Sequence, residues 1–386
     1  MRCNTGMAEQ QILTAGGNYR ELDSYIQGNG LRTILLVCDS AFPYLQISKY
    51  FSVLESRLAV RLVRFDNFQS NPLYESVVEG VEIFRRECCD SIIAVGGGSA
   101  MDVAKCIKLY SNMDTKLNYL KQPIIPNDVK LIAVPTTAGT GSEATRYAVI
   151  YYEGQKQSVT DDSCIPSAVL MDAAVLKTLP EYQRKSTMLD ALCHAIESFW
   201  SVNSTEESKF FSRKAIQSIL ANMDEYLKNE DCGNEEMLRA ANMAGKAINI
   251  TQTTAGHAMC YKLTSLYGIA HGHAAALCVA RLWPYMIDHM ERCTDPRGKE
   301  YLEGTFVEIA EAMGCKTIDE AILKFQVICR DFALFVPVAK QEDYIVLREG
   351  VNPDRLKNNP VALDTEATEN IYRQILEEES LLSKIG

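Results

Sequence analysis

Between about Leu31 and Pro135 the sequence alternates short β-branched runs with amphipathic stretches, and this alternation constrains the fold more than any other feature. TILLVCD is followed by a helix-like segment through Leu54, VRLVRFD by PLYESVVEGVEIFRREC, SIIAVGGG by AMDVAKCIKLY, and LIAVPTT closes the series. Strand, helix, strand, helix at this spacing predicts βαβ units and a parallel sheet, because parallel neighbours need a long crossover. After about Pro180 the texture changes. EYQRKSTMLDALCHAIESFW, SKFFSRKAIQSILANMDEYL and EEMLRAANMAGKAINIT are long and helically periodic, with few strand-like runs between them. Residues 1–180 are therefore expected to form an α/β domain and residues 181–386 an all-α domain, two domains being the natural division of a 386-residue chain.

Punctuation within this frame is sparse. Turn-rich pieces at Asn229 to Asn234 and Asp295 to Lys299 read as inter-helix loops, and VNPDRLKNNPVALDTEATENIYRQIL reads as a loop followed by a closing helix started at Pro360 and Asp364. The first ten or so residues are expected to be disordered, with Met7 available as a second start.

The charge balance narrows the partners. A net charge of -11 disfavours extended contact with nucleic acid or an anionic membrane, both of which need a basic surface. MRCNTGMAEQQ lacks the apolar centre of a signal peptide, and no run approaches the roughly 18 to 20 apolar residues that span a bilayer, so a soluble, cytoplasmic protein is expected. The 13 cysteines are scattered, include the adjacent Cys88 and Cys89, and form no CxxC knuckle; they read as reduced thiols. A small-molecule substrate fits this composition best.

IIAVGGGSAMDVAK places a buried strand, Gly96, Gly97, Gly98 and Ser99, and then a helix, the order needed to lay a pyrophosphate against a helix N-terminus. Glycines let the backbone approach the anion, and free amides with the helix dipole bind it. The same turn would also serve as a mere tight connection, and it is not the usual GxGxxG fingerprint. A second polar loop, VPTTAGTGSEATR, clusters Thr136, Thr137, Thr140 and Ser142 around two glycines after the next strand. Loops leaving neighbouring parallel strands meet over one crevice, which strengthens the cofactor reading. Asp39, directly after the first strand run, can accept hydrogen bonds from an adenosine ribose and would repel a 2′-phosphate, favouring NAD(H) over NADP(H); as a helix cap it would need no ligand.

Four of the five histidines lie between His194 and His273. In MLDALCHAIE, Asp190 and His194 are one helical turn apart, an arrangement open to a shared ion or to an ordinary intrahelical contact. TTAGHAMCYKLTSLYGIAHGHAAAL adds His257, His271 and His273. One carboxylate with two or three imidazoles suits divalent iron or zinc with a position left for a substrate oxygen.

In combination, GGGSAMDVAK, PTTAGTGSEAT, DALCHAIE, AGHAMCYKLTSLYGIAHGHA and LKNNPVAL resemble, in this order and over nearly the whole chain, the iron-containing (group III) alcohol dehydrogenases. The resemblance implies an N-terminal dinucleotide-binding α/β domain, a C-terminal all-helical domain and an active site in the cleft between them. It implies Asp190, His194, His257 and His271 as metal ligands, Fe2+ first and Zn2+ second. Gly96, Gly97, Gly98 and Ser99 would hold the pyrophosphate, Asp102 would anchor that turn, and Thr136, Thr137, Thr140 and Ser142 would line the adenine and nicotinamide side. Lys156 would stand near the nicotinamide ribose. The family often has a histidine where this sequence has Tyr261, which can relay or donate a proton but is a poor base. His273, two residues beyond the last ligand, is expected to face substrate.

TGSEATRYAVIYYEGQKQSV, MLDALCHAIESFWSVNST and VNPDRLKNNPVAL look closest to the phosphonoacetaldehyde reductases within that family. Arg146, Lys156 and Lys262 would then offer cations to a phosphonate. A general short-chain alcohol or diol dehydrogenase, a dehydroquinate synthase-like lyase on the same scaffold and a non-catalytic binding protein are the competing readings. An enzyme of this size is expected to be a homodimer.

Overall fold

The structure, a computed structural model, describes residues 10–377. The expectations of a disordered start and of a second start at Met7 fall on residues 1–9, outside the described residues. The chain folds as two compact units. One runs to Leu179 and includes Asn229–Leu238; the other holds Pro180–Lys228 and continues from Arg239.

In the first unit, β1 (Gln11–Thr14), β2 (Thr33–Cys38), β3 (Arg61–Phe65), β4 (Ser91–Gly96) and β5 (Lys130–Pro135) are joined by β8 (Ala168–Met171) in a parallel sheet of order β1-β8-β5-β4-β2-β3. A separate antiparallel hairpin pairs β6 (Tyr147–Tyr152) with β7 (Gln155–Thr160). The four runs read as strands are β2 to β5; β4 is buried at every position, as a strand covered on both faces must be. Helices α1 (Arg20–Gly28) and α2 (Ser48–Leu58) cover one face, their Leu22, Ile26, Phe51 and Leu54 sharing a core with Ile34, Leu36, Ile93, Val95, Ile132 and Val134 of the sheet. Helices α3 (Tyr74–Arg86) and α4 (Gly98–Tyr110) complete the crossovers. Strand order reverses between β2 and β4, so the loops that leave these two strands diverge and open the crevice that doubly wound sheets use for ligands.

The edge strand β1 and strand β8 were not expected, nor was the hairpin, whose turn places Glu153 and Gly154 at φ 50° and 72°. Both residues of a two-residue type I′ turn take positive φ, which glycine adopts freely and glutamate does not.

The second unit is helical: α5 (Glu181–Trp200), α6 (Glu206–Leu227), α7 (Asp231–Thr251, from Arg239 onward), α8 (Ala255–Tyr267), α9 (His271–Asp288), α10 (Lys299–Ala312), α11 (Ile318–Asp331), α12 (Asp343–Glu349), α13 (Pro353–Leu356) and α14 (Thr365–Leu376). Pro180 precedes α5, which has neither glycine nor proline inside and is buried on all sides from Met188 to Trp200. A helix buried all round is the centre of its bundle. Asp364 caps α14 by accepting from the Ala367 amide at 2.8 Å, as read from the sequence. The expected loop at Asn229 to Asn234 is shorter than anticipated: Asn229 turns the chain at φ 62°, and α7 has begun by Asp231. Among the described residues no helix is long and apolar enough to cross a membrane, and the cysteines are thiols outside any disulfide.

Candidate cofactor cradle and metal centre

The cradle is built where β4 ends. A Cβ on Gly96 would stand 2.5 Å from the Ala100 methyl and 2.9 Å from Asp39 Oδ2, so no side chain fits there. Asp39 reaches this point because β2 and β4 are parallel neighbours with Cys38 opposite Val95. Gly97, in extended conformation, precedes α4 and offers no side-chain cap, which leaves the amides of the first turn for a ligand.

The second polar loop is bound to the first. The Thr136 amide donates to the Gly96 carbonyl at 3.0 Å, and Thr137 and Thr140 lie 3.5 and 3.3 Å from the Cβ positions of Gly97 and Gly98. Thr136 and Ser142 are buried, and the Ser142 hydroxyl donates to Asp102 Oδ1 at 3.1 Å while accepting from Lys105 Nζ at 3.0 Å. Asp102 therefore ties α4 to the neighbouring loop. Lys105, fully buried, also donates to Thr145 Oγ1 at 3.2 Å and to the Tyr147 carbonyl at 2.7 Å. Burial raises the Asp102 carboxyl to about 6 against the opposing charges of Lys105 and Lys156, and burial lowers the Lys105 ammonium. Lys156, opposite Tyr151 on β7, thus belongs to the surroundings of Asp102.

In the helical unit, α5 presents Asp190, His194 and Glu197 at spacings of four and three residues on one side. His257 comes from the first turn of α8, and His271 opens α9. Ligand atoms of Asp190, His257 and His271 all lie within 4.8 Å of one another. His257 Nε2 is 3.3 Å and His271 Nε2 4.0 Å from Asp190 Oδ1, and the His194 ring stacks on the His257 ring with centroids 4.3 Å apart. Two glycines make this approach feasible. A Cβ on Gly272 would lie 2.0 Å from the Ser186 carbonyl oxygen and 2.6 Å from Asp190 Cβ; one on Gly256 would lie 2.9 Å from Glu197 Oε1.

Glu197, which the sequence reading passed over, stands behind the cluster. Its Oε2 bonds His257 Nδ1, while Oε1 accepts from the Thr254 hydroxyl at 2.6 Å and from the Thr254 and His257 amides, both at 3.2 Å. Trp200 Nε1 donates to the same Thr254 hydroxyl at 2.9 Å. This bond directs His257 Nε2 toward Asp190, the arrangement in which a carboxylate orients a ligating imidazole. Burial favours a neutral Asp190, yet His194, His271 and His257 hold it well below the usual carboxylate range. His257 is pushed up to about 9: burial opposes its charge, but Glu197 and Asp190 outweigh it. A buried ionised carboxylate among converging imidazoles, with a second one fixing a tautomer, is a donor set that fits a divalent transition metal.

The remaining candidates make other contacts. His273 is fully buried and bonds the Tyr182 hydroxyl through Nδ1 at 3.0 Å; burial pulls it down to about 4, and the structure does not group it with the ligands. Tyr261 follows His257 by one turn with its ring 5.1 Å from that of His271, and its hydroxyl accepts from Arg355 Nη1 at 2.5 Å. Burial raises the Tyr261 phenol to about 12 despite Arg355. Arg146, read as a substrate cation, is paired with Asp162 at 3.0 Å in the first unit. Lys262 runs along Gly350, where a Cβ would stand 2.9 Å from its Cγ.

Comparison with known proteins agrees with this pairing of a cradle and a metal-ligand cluster. Residues 9–173 match the family described as iron-containing alcohol dehydrogenase, and residues 185–376 match the C-terminal part of the Fe-containing alcohol dehydrogenase family. The chain is 29% identical to aldehyde-alcohol dehydrogenase 2 of Entamoeba histolytica over 74% of its own length but only 35% of that protein. It is 32% identical to the phosphonoacetaldehyde reductase of Streptomyces viridochromogenes over 72% of this chain and 74% of that one. The crystal structure of sulfoacetaldehyde reductase from Bifidobacterium kashiwanohense in complex with NAD+ superposes with a TM-score of 0.82 at 25% identity, covering 97% and 98% of the two chains. The chain therefore belongs to the iron-containing alcohol dehydrogenase family.

Proposed function

We propose that the chain is an NAD(H)-dependent aldehyde reductase, loaded with Fe2+ in preference to Zn2+, that converts phosphonoacetaldehyde to 2-hydroxyethylphosphonate. The observation that carries the reductase reading is the convergence of Asp190, His257 and His271, with Glu197 behind them, in a member of this family. The phosphonate end rests on the likeness to the Streptomyces enzyme.

In this reading the metal, when bound, supplies Lewis acidity toward a carbonyl oxygen and the nicotinamide supplies hydride. The residues of the chain hold and orient. The amides of Gly97, Gly98 and Ser99 receive the pyrophosphate beside Thr137 and Thr140, and Gly96 keeps the approach open. Asp39 accepts from the adenosine ribose and repels a 2′-phosphate, which favours NAD(H). Asp102, Ser142 and Lys105 brace the two loops from below, with Lys156 alongside. Asp190, His194, His257 and His271 hold the metal, Glu197 fixes the tautomer of His257, and Tyr261 donates the proton that the alcohol product requires.

The test is NADH oxidation by enzyme reconstituted in parallel with Fe(II) and Zn(II), offered phosphonoacetaldehyde, glycolaldehyde, lactaldehyde and butyraldehyde. Preference for the phosphonate is expected. Comparable rates on neutral aldehydes would leave the general alcohol dehydrogenase reading, which the match to aldehyde-alcohol dehydrogenases favours. No oxidation with any of them would move the chain to the lyase reading.

A further inference from the structure

A cation is linked to the metal-ligand cluster through Tyr261, and it is Arg355. Its guanidinium carbon lies 4.7 Å from the centroid of the Tyr261 ring, and that ring lies 5.1 Å from the His271 ring. Among the described residues only one of its five N–H groups has a partner, the Tyr261 hydroxyl at 2.5 Å. Among the described residues no carboxylate forms a salt bridge with Arg355, although the acidic residue beside it, Asp354, is engaged by Lys357 at 2.7 Å. Arg348, seven residues earlier, pairs with Glu369 at 2.8 Å. A half-buried guanidinium that has lost part of its hydration and meets only a neutral phenol oxygen retains most of its capacity for an anion.

The segment that carries it is fastened to the helices of the site. The Val202 amide donates to the Asn358 carbonyl at 3.1 Å, the Asn203 amide group donates to Asn358 Oδ1 at 3.0 Å, and Asn358 Nδ2 donates to the Thr253 carbonyl at 3.2 Å. Val202 and Asn203 lie just past Ser201, the cap of α5, and Thr253 precedes α8, the helices that supply Asp190, His194 and His257. Arg355 is thereby held in register with the ligands, so little side-chain and loop entropy remains to be lost when it binds.

We propose that Arg355 is the residue that selects the substrate: its guanidinium, held over Tyr261, binds the oxyanion end of a short aldehyde whose carbonyl end lies at Asp190, His257 and His271. The inference rests on the reading of that cluster as the reductase metal site. Distances of 5.1 Å from the His271 ring to the Tyr261 ring and 4.7 Å from that ring to the Arg355 guanidinium bring the cation within about 10 Å of His271, the reach of a short substrate that spans carbonyl and oxyanion. Phosphonate, sulfonate and carboxylate share the chemistry a planar guanidinium recognises. Tyr261 then serves both ends, its ring beside His271 and its hydroxyl and ring face holding Arg355.

The test uses metal-loaded enzyme in the wild-type, Arg355→Met and Arg355→Lys forms, with folding checked by circular dichroism and thermal midpoint. Steady-state rates are measured on phosphonoacetaldehyde, sulfoacetaldehyde, malonic semialdehyde and butyraldehyde, and binding of 2-hydroxyethylphosphonate to the NAD+ complex is followed by calorimetry. In Arg355→Met the ratio of kcat/KM for the best charged aldehyde to that for butyraldehyde should fall about 100-fold, chiefly through KM, with calorimetric binding lost in parallel. Arg355→Lys should recover part of both, since a point charge replaces a fork. The rank of the three oxyanions in the wild type identifies which one the site was shaped for.

An unchanged ratio in a folded Arg355→Met enzyme, or equal loss on charged and neutral aldehydes, overturns the assignment of Arg355 and leaves the reductase reading standing. A wild type that reduces butyraldehyde with no preference for any oxyanion overturns both the assignment and the phosphonate substrate. Absence of NADH oxidation with every aldehyde, together with no binding of 2-hydroxyethylphosphonate, overturns the assignment along with the reductase reading itself.

Discussion

Glu197 and His257 are 60 residues apart in sequence, yet the carboxylate of one closes on the Nδ1 of the other, leaving His257 Nε2 3.3 Å from Asp190 Oδ1. The pair explains why α5 carries two acidic side chains, Asp190 and Glu197, within its fully buried stretch. Asp190 meets the imidazoles directly, and Glu197 sets the tautomer and angle of one of them. Three further donors occupy Glu197 Oε1, so the carboxylate is satisfied without the metal as well as with it.

Replacing Glu197 with Gln should therefore weaken metal binding more than it unfolds the protein. Loss of an outer partner of a ligating histidine typically costs about 10- to 100-fold in metal affinity. Competitive metal titration against a chromophoric chelator, on folded Glu197→Gln, reads this directly. Glu197→Ala should add a stability loss of about 2–4 kcal/mol, because the Thr254 and His257 donors are left buried without an acceptor. An unaltered metal affinity in Glu197→Gln would reduce Glu197 to a packing residue.

Gly272 is expected to tolerate no side chain. Its neighbours at 2.0 and 2.6 Å from an added Cβ are the Ser186 carbonyl and Asp190, both on the most buried helix of the unit, and neither can move cheaply. Gly272→Ala should lower the thermal midpoint by the equivalent of about 3 kcal/mol and reduce bound metal per chain, since His271 is the preceding residue. Elemental analysis alongside calorimetric unfolding separates the two effects.

Asp39 should decide between cofactors. It lies at the end of β2 against Gly96, where the ribose of a dinucleotide in a doubly wound sheet is received. Asp39→Ser removes the charge that opposes a 2′-phosphate, and the ratio of kcat/KM for NADPH to that for NADH should rise about 10-fold or more. A ratio that does not change would place the ribose elsewhere.

The strands and helices legible in the sequence are those whose signal is local. β2 to β5 are apolar runs bounded by turns, and α5 coincides with a stretch free of glycine and proline that begins after Pro180. β1 and β8 span only four residues each, too short for periodicity to register, and they exist because each has a neighbour to pair with. The same distinction governs the site. The spacing of Asp190 and His194 and the glycines of the cradle were visible because one helix turn or one strand end carries each. Glu197 lay in plain sight seven residues after Asp190, but its partner is on another helix. Lys105 lies in the amphipathic stretch AMDVAKCIKLY, yet it is fully buried among oxygens supplied by residues 37 to 42 positions away. Arg355 acquires its meaning only through Tyr261, 94 residues distant.

The buried pair beneath the cradle carries a pH signature. Burial lifts the folded carboxyl of Asp102 from 3.8 to about 6, so between these values the native state keeps a proton that the unfolded chain has released. A state that binds more protons is favoured by acid, and the contribution of Asp102 to stability is therefore present below about pH 4 and lost as the pH rises through 6. Asp102→Asn abolishes this titration while keeping an acceptor for the Ser142 hydroxyl. The difference in unfolding free energy between wild type and Asp102→Asn should accordingly shift against the wild type by on the order of 2 kcal/mol from pH 4 to pH 7. Urea unfolding at intervals across this range, with the same metal and cofactor content in both proteins, measures it. A difference that stays flat, or that grows in favour of the wild type with rising pH, would mean that Lys105 keeps Asp102 ionised throughout and that the two form a permanent buried ion pair.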